Sequence, residues 1–192
     1  MNYNFKETLQ NITLGNDLST GEAMFALESI MNGEVSSEEI ASFLTAMKMK
    51  GETIEELSSF VKVMRLKSLK VQADITGAVD IVGTGGDKSG TFNISTITAF
   101  VTAASGVPVI KHGNRSASSK CGSADVLEIL GANIELNPVQ VAEVFERVGI
   151  AFMYAPMFHP AMKYVMPVRQ KISEKTIFNL LGPHTNPCNA KK

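Results

Sequence analysis

Apolar stripes at helical spacing run through the first part of the chain. Met24, Leu27 and Met31 form one, Ile40, Phe43, Leu44 and Met47 the next, and Leu57, Phe60, Val61 and Met64 a third. Residues three and four apart share one face of a helix, so each stripe predicts an amphipathic helix that turns its apolar side to a core. A hydroxyl and, three residues later, a carboxylate precede every stripe: Ser19 with Glu22, Ser36 with Glu39, and Thr53 with Glu56. That spacing lets the two side chains satisfy the orphan N–H groups of a helix start reciprocally. Gly33 and Gly51 stand where the helices should stop. Burial accounts for the stripes, but methionine-rich faces also suit adaptable contact surfaces, which keeps self-association of this region open.

Near residues 71–77 the pattern changes. Short β-rich runs at 79–82, 107–110 and 150–154 alternate with helical patterns at 96–104, 123–130 and 139–148. The 96–104 helix reads as buried. Pro138 is preset for a first helical turn, and Gly106, Gly131 and Gly149 follow the helix ends. Strands alternating with helices predict a parallel α/β sheet. The expected organisation is therefore α/β: a small helical domain over residues 1–70 and a partial, mostly parallel α/β sheet domain over 71–192.

Composition narrows the partners. The chain has 192 residues, 44% of them hydrophobic, and a formal net charge of -1. That is enough apolar material for a core, with no global positive field for nucleic acid or an anionic membrane. Cys121 and Cys188 stand far apart, so neither a disulfide framework nor a zinc motif is expected. The first residues carry no apolar signal core, and no apolar run reaches transmembrane length. The expectation is a cytoplasmic protein.

The chemistry gathers after the predicted strands. Gly83-Thr84-Gly85-Gly86-Asp87 follows the first, where glycines let a ligand approach the backbone and successive N–H groups can cradle an anion. Thr91, Asn93, Ile94, Ser95 and Thr96 then lead into a helix, whose N-terminus suits phosphate. The loop is not a P-loop, because Asp87 follows Gly86 where Lys is required, nor a dinucleotide fingerprint, because Lys88 occupies the third-glycine position. A plain strand-to-helix turn remains the competing reading.

Lys111, His112, Gly113, Asn114, Arg115, Ser116, Ala117, Ser118 and Ser119 follow the second strand and read as a basic, hydroxyl-rich loop, either solvated or ligand-binding. Ligands of open α/β sheets gather outside the carboxyl ends of the strands, so the two loops point to one rim. His159, Pro160 and Lys163 come after the third strand, followed by Pro167-Val168-Arg169 and by residues 176–183. His112 and His159 are candidates for proton transfer, with ordinary packing the alternative. No serine sits in a nucleophile elbow.

Together these stretches, with Gly122-Ser123-Ala124-Asp125, resemble the anthranilate phosphoribosyltransferase family in order and spacing. The resemblance spans essentially the whole chain but a little over half of the usual family length. It implies a nucleoside phosphorylase/phosphoribosyltransferase-like fold, a homodimer formed through the helical part, and transfer of the phosphoribosyl group of phosphoribosyl pyrophosphate (PRPP) to the amine of anthranilate. By that resemblance Gly83, Gly86, Asp87, Thr91, Asn93, Ile94, Ser95, Thr96, Lys111 and Ser119 contact PRPP. Residues His112, Gly113, Asn114, Arg115, Ser116, Ala117 and Ser118, with Ser123, complete that pocket. Gly83, Asn114 and Arg169 position anthranilate, and Ser95 contributes to binding Mg2+. No residue is assigned as a general base, since an aromatic amine needs orientation more than deprotonation.

Lys175 and His184 depart from the family pattern, which has Arg and Leu there. The family's later acidic metal-binding pair has no counterpart before Lys192, so low activity of the chain alone is a further expectation. The rival readings are an inactive fragment that dimerises or binds ligand weakly, and a pyrimidine nucleoside phosphorylase-like enzyme.

Overall fold

A computed structural model describes residues 3–84, 91–116, 121–172 and 174–192. Four helices open the chain: α1 (Phe5–Thr13), α2 (Thr20–Asn32), α3 (Ser37–Lys50) and α4 (Ile54–Lys67). There follow α5 (Ile94–Ala104), β1 (Val109–Gly113), α6 (Ser123–Ile129), α7 (Pro138–Val148), β2 (Ile150–Tyr154) and α8 (Ala155–Phe158). A 3-10 turn (Pro160–Tyr164), α9 (Met166–Ile172), α10 (Ile177–Leu181) and a second 3-10 turn (Gly182–His184) come last. No helix among the described residues is long and apolar enough to cross a membrane.

By its contacts the chain divides into two units. The first joins Met1–Lys67 to Pro160–His184, and the second joins Ser68–His159 to Thr185–Lys192. The segment holding α9 and α10 joins the helices because Val165, Val168, Ile177, Phe178 and Leu181 are buried in the same apolar cluster as Leu27, Phe43 and Phe60.

All three expected capping boxes of the first unit form. Ser19 N–H donates to Glu22 at 3.0 Å, Ser36 N–H to Glu39 at 3.2 Å and Thr53 N–H to Glu56 at 2.8 Å, each with the hydroxyl returning the contact. The stripes line the core, with Met24, Leu57 and Val61 at its margin. One capping carboxylate does more. Glu56 is fully buried and also accepts from Leu18 N–H at 2.8 Å and from Lys50 Nζ at 2.9 Å. Lys50 reaches Asp17 at 2.7 Å, so the group ties the α1–α2 connection to the end of α3 and the start of α4.

In the second unit β1 and β2 pair in parallel, from Val109 with Ile150 to Gly113 with Tyr154. Ile110, Val141, Phe145, Ala151, Met153 and Phe158 form its main core, and Ala124, Leu127 and Ile134 a satellite. The expected strand at 79–82 is reduced to a single parallel bridge between Val79 and Val109. Past Val79 the pairing with β1 stops, because the Asp80 carboxylate takes the His112 N–H at 3.0 Å; on the opposite edge Asp80 N–H donates to the Lys192 carbonyl at 2.8 Å. The expected strand at 107–110 begins at Val109 instead and runs through Lys111, His112 and Gly113, which the sequence had assigned to a loop. Val107 N–H still closes the end of α5 on Thr102, and Pro108 has no N–H to offer a ladder. Helix α5 also differs from expectation. Thr96 and Ala99 are buried against the sheet, while Ile94, Ile97, Phe100 and Val101 stay exposed, because among the described residues the strands cover only one of its sides.

Candidate functional site

The carboxyl end of β1 brings together segments far apart in sequence, all within the second unit. Asn93 precedes α5 without capping it. Its amide instead donates to the Gly122 carbonyl at 3.2 Å, at the head of α6. The first turn of α5 is closed by backbone instead, Ile94 N–H donating to the Phe92 carbonyl at 2.7 Å and Thr96 N–H to the Asn93 carbonyl at 3.0 Å. Thr96, in that first turn, is buried, and its hydroxyl has no hydrogen-bond partner among the described residues. Ser123 donates from its hydroxyl to the Asn114 carbonyl at 3.1 Å, and Ala124 N–H donates to the same carbonyl at 3.3 Å.

Gly113 and Gly122 permit this convergence by lacking a side chain. A Cβ at Gly113 would lie 2.6 Å from the Phe152 ring and 2.7 Å from Ser123 Oγ. One at Gly122 would lie 2.3 Å from Ser116 N. The second contact is with backbone, which cannot swing aside as a flexible side chain can.

Beneath the rim lies a buried polar group. Lys111 donates from its ammonium to the Ile81 carbonyl, and burial draws its pKa down against the opposing pull of Asp80. The Asp80 carboxyl is pushed up by burial, although Asn186 Nδ2 at 2.8 Å and the His112 N–H favour its charged form. Asn186 also donates to the Ile110 carbonyl at 3.0 Å. The His112 and His159 rings lie 5.2 Å apart. Burial, helped by nearby Lys70, lowers His159 to a pKa of about 4, so its ring is neutral near neutral pH.

The expected site residues are thus distributed. Asn93, Ser95, Thr96, Lys111, His112, Gly113, Asn114, Arg115, Ser116 and Ser123 belong to this cluster of strand and helix ends, with Lys111 and His112 buried below it. Gly83, Thr91 and Ile94 are exposed. Gly86, Asp87, Ala117, Ser118 and Ser119 lie outside the described residues. Arg169 belongs to the first unit. There its guanidinium donates to Asn179 Oδ1 at 3.3 Å and lies 5.6 Å from the centre of the Phe178 ring, and burial lowers its pKa.

Arg115, expected at the ligand, has its fork engaged by carboxylates: Asp125 at 2.9 Å and Glu128 at 2.8 and 3.0 Å. Asp80, Asn186, Asp125 and Glu128 were not singled out from the sequence. Asp125 alone carried a signal, as the last residue of the Gly122–Asp125 stretch.

Among the described residues no three His, Cys, Asp or Glu side chains cluster to hold a metal ion. Ser95 offers one neutral hydroxyl, whereas magnesium sites rely on carboxylates and substrate phosphates. The described residues therefore do not form a magnesium site by themselves.

Two family models match the chain: the glycosyl transferase family, helical bundle domain over residues 6–68, and the glycosyl transferase family, a/b domain over residues 76–192. The anthranilate phosphoribosyltransferase of Acetivibrio thermocellus is 54% identical over 186 residues, which are 97% of this chain and 54% of that protein. The crystal structure of anthranilate phosphoribosyltransferase from Thermus thermophilus is similar with a TM-score of 0.88 at 44% identity, covering 94% of this chain and 55% of that one. The Saccharomyces cerevisiae enzyme in complex with PRPP and Mg is similar with a TM-score of 0.85 at 29% identity, covering 95% and 56%. The chain spans about half the length of the curated relatives it matches.

Proposed function

The chain belongs to the glycosyl transferase family, and on that footing we propose that the protein transfers the phosphoribosyl group of PRPP to the amine of anthranilate. The observation that carries this reading is the meeting of Asn93, Asn114, Gly122 and Ser123 at the uncapped start of α5 and the end of β1. Hydroxyls and the positive end of a helix dipole at a helix N-terminus beside a parallel strand end suit a phosphorylated ligand. The high identity to anthranilate phosphoribosyltransferases supports the choice of ligand. The same relatives do not favour the phosphorylase or inert-fragment alternatives.

In this reading the anthranilate nitrogen bonds to C1 of the ribose while the bond from C1 to pyrophosphate oxygen breaks. The nitrogen then releases one proton to water. Negative charge grows on the departing pyrophosphate, where the positive end of the α5 dipole, the Ser95 N–H and the hydroxyls of Ser95 and Thr96 would receive it. Preorganised donors of this kind stabilise developing charge without reorganising. Arg169 would hold the anthranilate carboxylate by its planar fork, and Asn114 would help orient the ring. His159, neutral and buried, is not needed as a base. Ser95 would be the expected contact of this chain to magnesium, whose chemistry when bound would be to offset charge on the phosphates.

We retain as part of the proposal a cytoplasmic homodimer joined through the helical unit. Its support is the exposure of Leu14, Met49, Ile54 and Leu66 on that unit. A calorimetric panel tests the ligand class. PRPP with magnesium should bind, and a pyrimidine nucleoside with inorganic phosphate should not. The reverse order of affinities would assign the site to a phosphorylase.

A further inference from the structure

We infer that Asp125 is a positioning residue that clasps the two backbone segments of the proposed PRPP site; this rests on the functional reading above. Its carboxylate has two separate jobs. Oδ2 accepts the Ser116 N–H at 3.1 Å and the Gly122 N–H at 2.7 Å, while Oδ1 accepts Arg115 Nη1 at 2.9 Å. One oxygen therefore joins the chain leaving β1 to the chain entering α6. The missing Cβ of Gly122 allows those backbones to come so close. Arg115 is secured in turn by Glu128 and by Tyr154, whose hydroxyl accepts Arg115 Nε at 3.2 Å. The three N–H contacts hold the Asp125 carboxyl below its usual range, Gly122 contributing most, so the clasp is charged throughout the neutral range.

The residues fixed by this clasp are neighbours of the expected ligand contacts. Asn114 and Ser123 lie one or two positions from the clasped N–H groups and bond to each other across the gap. Asp125 itself turns its oxygens to the backbone and Arg115. It acts through Asn114, Gly122 and Ser123, and its negative charge is neutralised by Arg115 rather than opposing an anionic ligand.

The split between its two oxygens makes the idea testable. Asp125→Asn keeps one oxygen that can hold both backbone N–H groups and gives up only the arginine contact. Asp125→Ala loses the clasp. Glu128→Gln weakens the arginine partner and leaves the clasp alone. Calorimetry with PRPP and magnesium should show affinity falling at least about tenfold in Asp125→Ala, with Asp125→Asn and Glu128→Gln within about threefold of the unsubstituted protein. Amide hydrogen exchange at Ser116 and Gly122 should accelerate in Asp125→Ala only, a readout that requires no ligand. Equal losses in Asp125→Ala and Asp125→Asn would mean that charge, not the clasp, matters. Tighter binding in Asp125→Ala, or unchanged binding with accelerated exchange, would overturn the positioning role. Failure of the unsubstituted protein to bind PRPP would instead overturn the functional reading, and the role with it.

Discussion

Replacing Glu56 with alanine should destabilise the helical unit more than any surface ion-pair substitution. Its carboxylate is fully buried and serves three donors: Leu18 N–H at 2.8 Å, Thr53 N–H at 2.8 Å and Lys50 Nζ at 2.9 Å. Removal leaves the Leu18 N–H without its acceptor, which costs about 1–3 kcal/mol when the group is buried. It also removes the side chain that completes a capping box, worth about 1 kcal/mol. The Lys50 side chain is only 4% exposed and would keep Asp17 alone, which is 67% exposed. Breaking a buried pair in this way costs about 3–5 kcal/mol. These contributions overlap, so the expected total for Glu56→Ala is about 4 kcal/mol, the middle of the buried-pair range. Lys50→Met should also cost about 3–5 kcal/mol, because it leaves the fully buried Glu56 carboxylate without its cation even though both N–H donors remain. Asp17→Asn should cost under about 1 kcal/mol, as exposed pairs do. Urea unfolding followed by helical circular dichroism measures all three. A loss below about 1 kcal/mol for Glu56→Ala, or an Asp17→Asn effect as large, would refute the reasoning.

Other outcomes follow from the same structure. His159 has its folded pKa lowered to about 4, so the unfolded chain takes up its proton first as pH falls. Stability should drop by about 2 kcal/mol between pH 7 and pH 5 through this group. His159→Gln should remove that part of the slope, and an unchanged slope in urea titrations would rule it out. Arg169→Ala should raise the Michaelis constant for anthranilate far more than that for PRPP, because a planar fork matches a carboxylate; steady-state kinetics showing equal effects would reassign Arg169. Gly122→Ala should impair PRPP binding while leaving the helical unit's unfolding unchanged, since its Cβ would lie 2.3 Å from Ser116 N; calorimetry showing full affinity would show that the backbone yields there.

The elements governed by local chemistry were legible in the sequence. Each capping box pairs residues three apart, and each forms. Helix α7 begins with Pro138 behind an Asn137–Gln140 cap, and β2 occupies the expected residues 150–154. Features decided by distant partners were not legible. Nothing near Asp80 indicates that its carboxylate will meet Asn186, 106 positions later, or that it will take the N–H of His112 and end the strand at Val79. Helices α8, α9 and α10 have 4, 7 and 5 residues, too few to display a period against their surroundings. The cluster at the end of β1 and the start of α5 and α6 was legible as residue types on strand and helix ends, whatever it binds. What escaped was the difference between residues that line the cluster, such as Asn93 and Ser123, and those that secure it, such as Arg115 and Asp125.

Turnover tests the central claim most directly. Anthranilate fluorescence should be followed with the intact protein, PRPP and magnesium, with the product mass determined. The account predicts fluorescence loss that requires PRPP, yields anthranilate carrying one phosphoribosyl group, and releases one pyrophosphate for each anthranilate consumed. Persistence of anthranilate in a protein that instead splits a pyrimidine nucleoside with inorganic phosphate would contradict it.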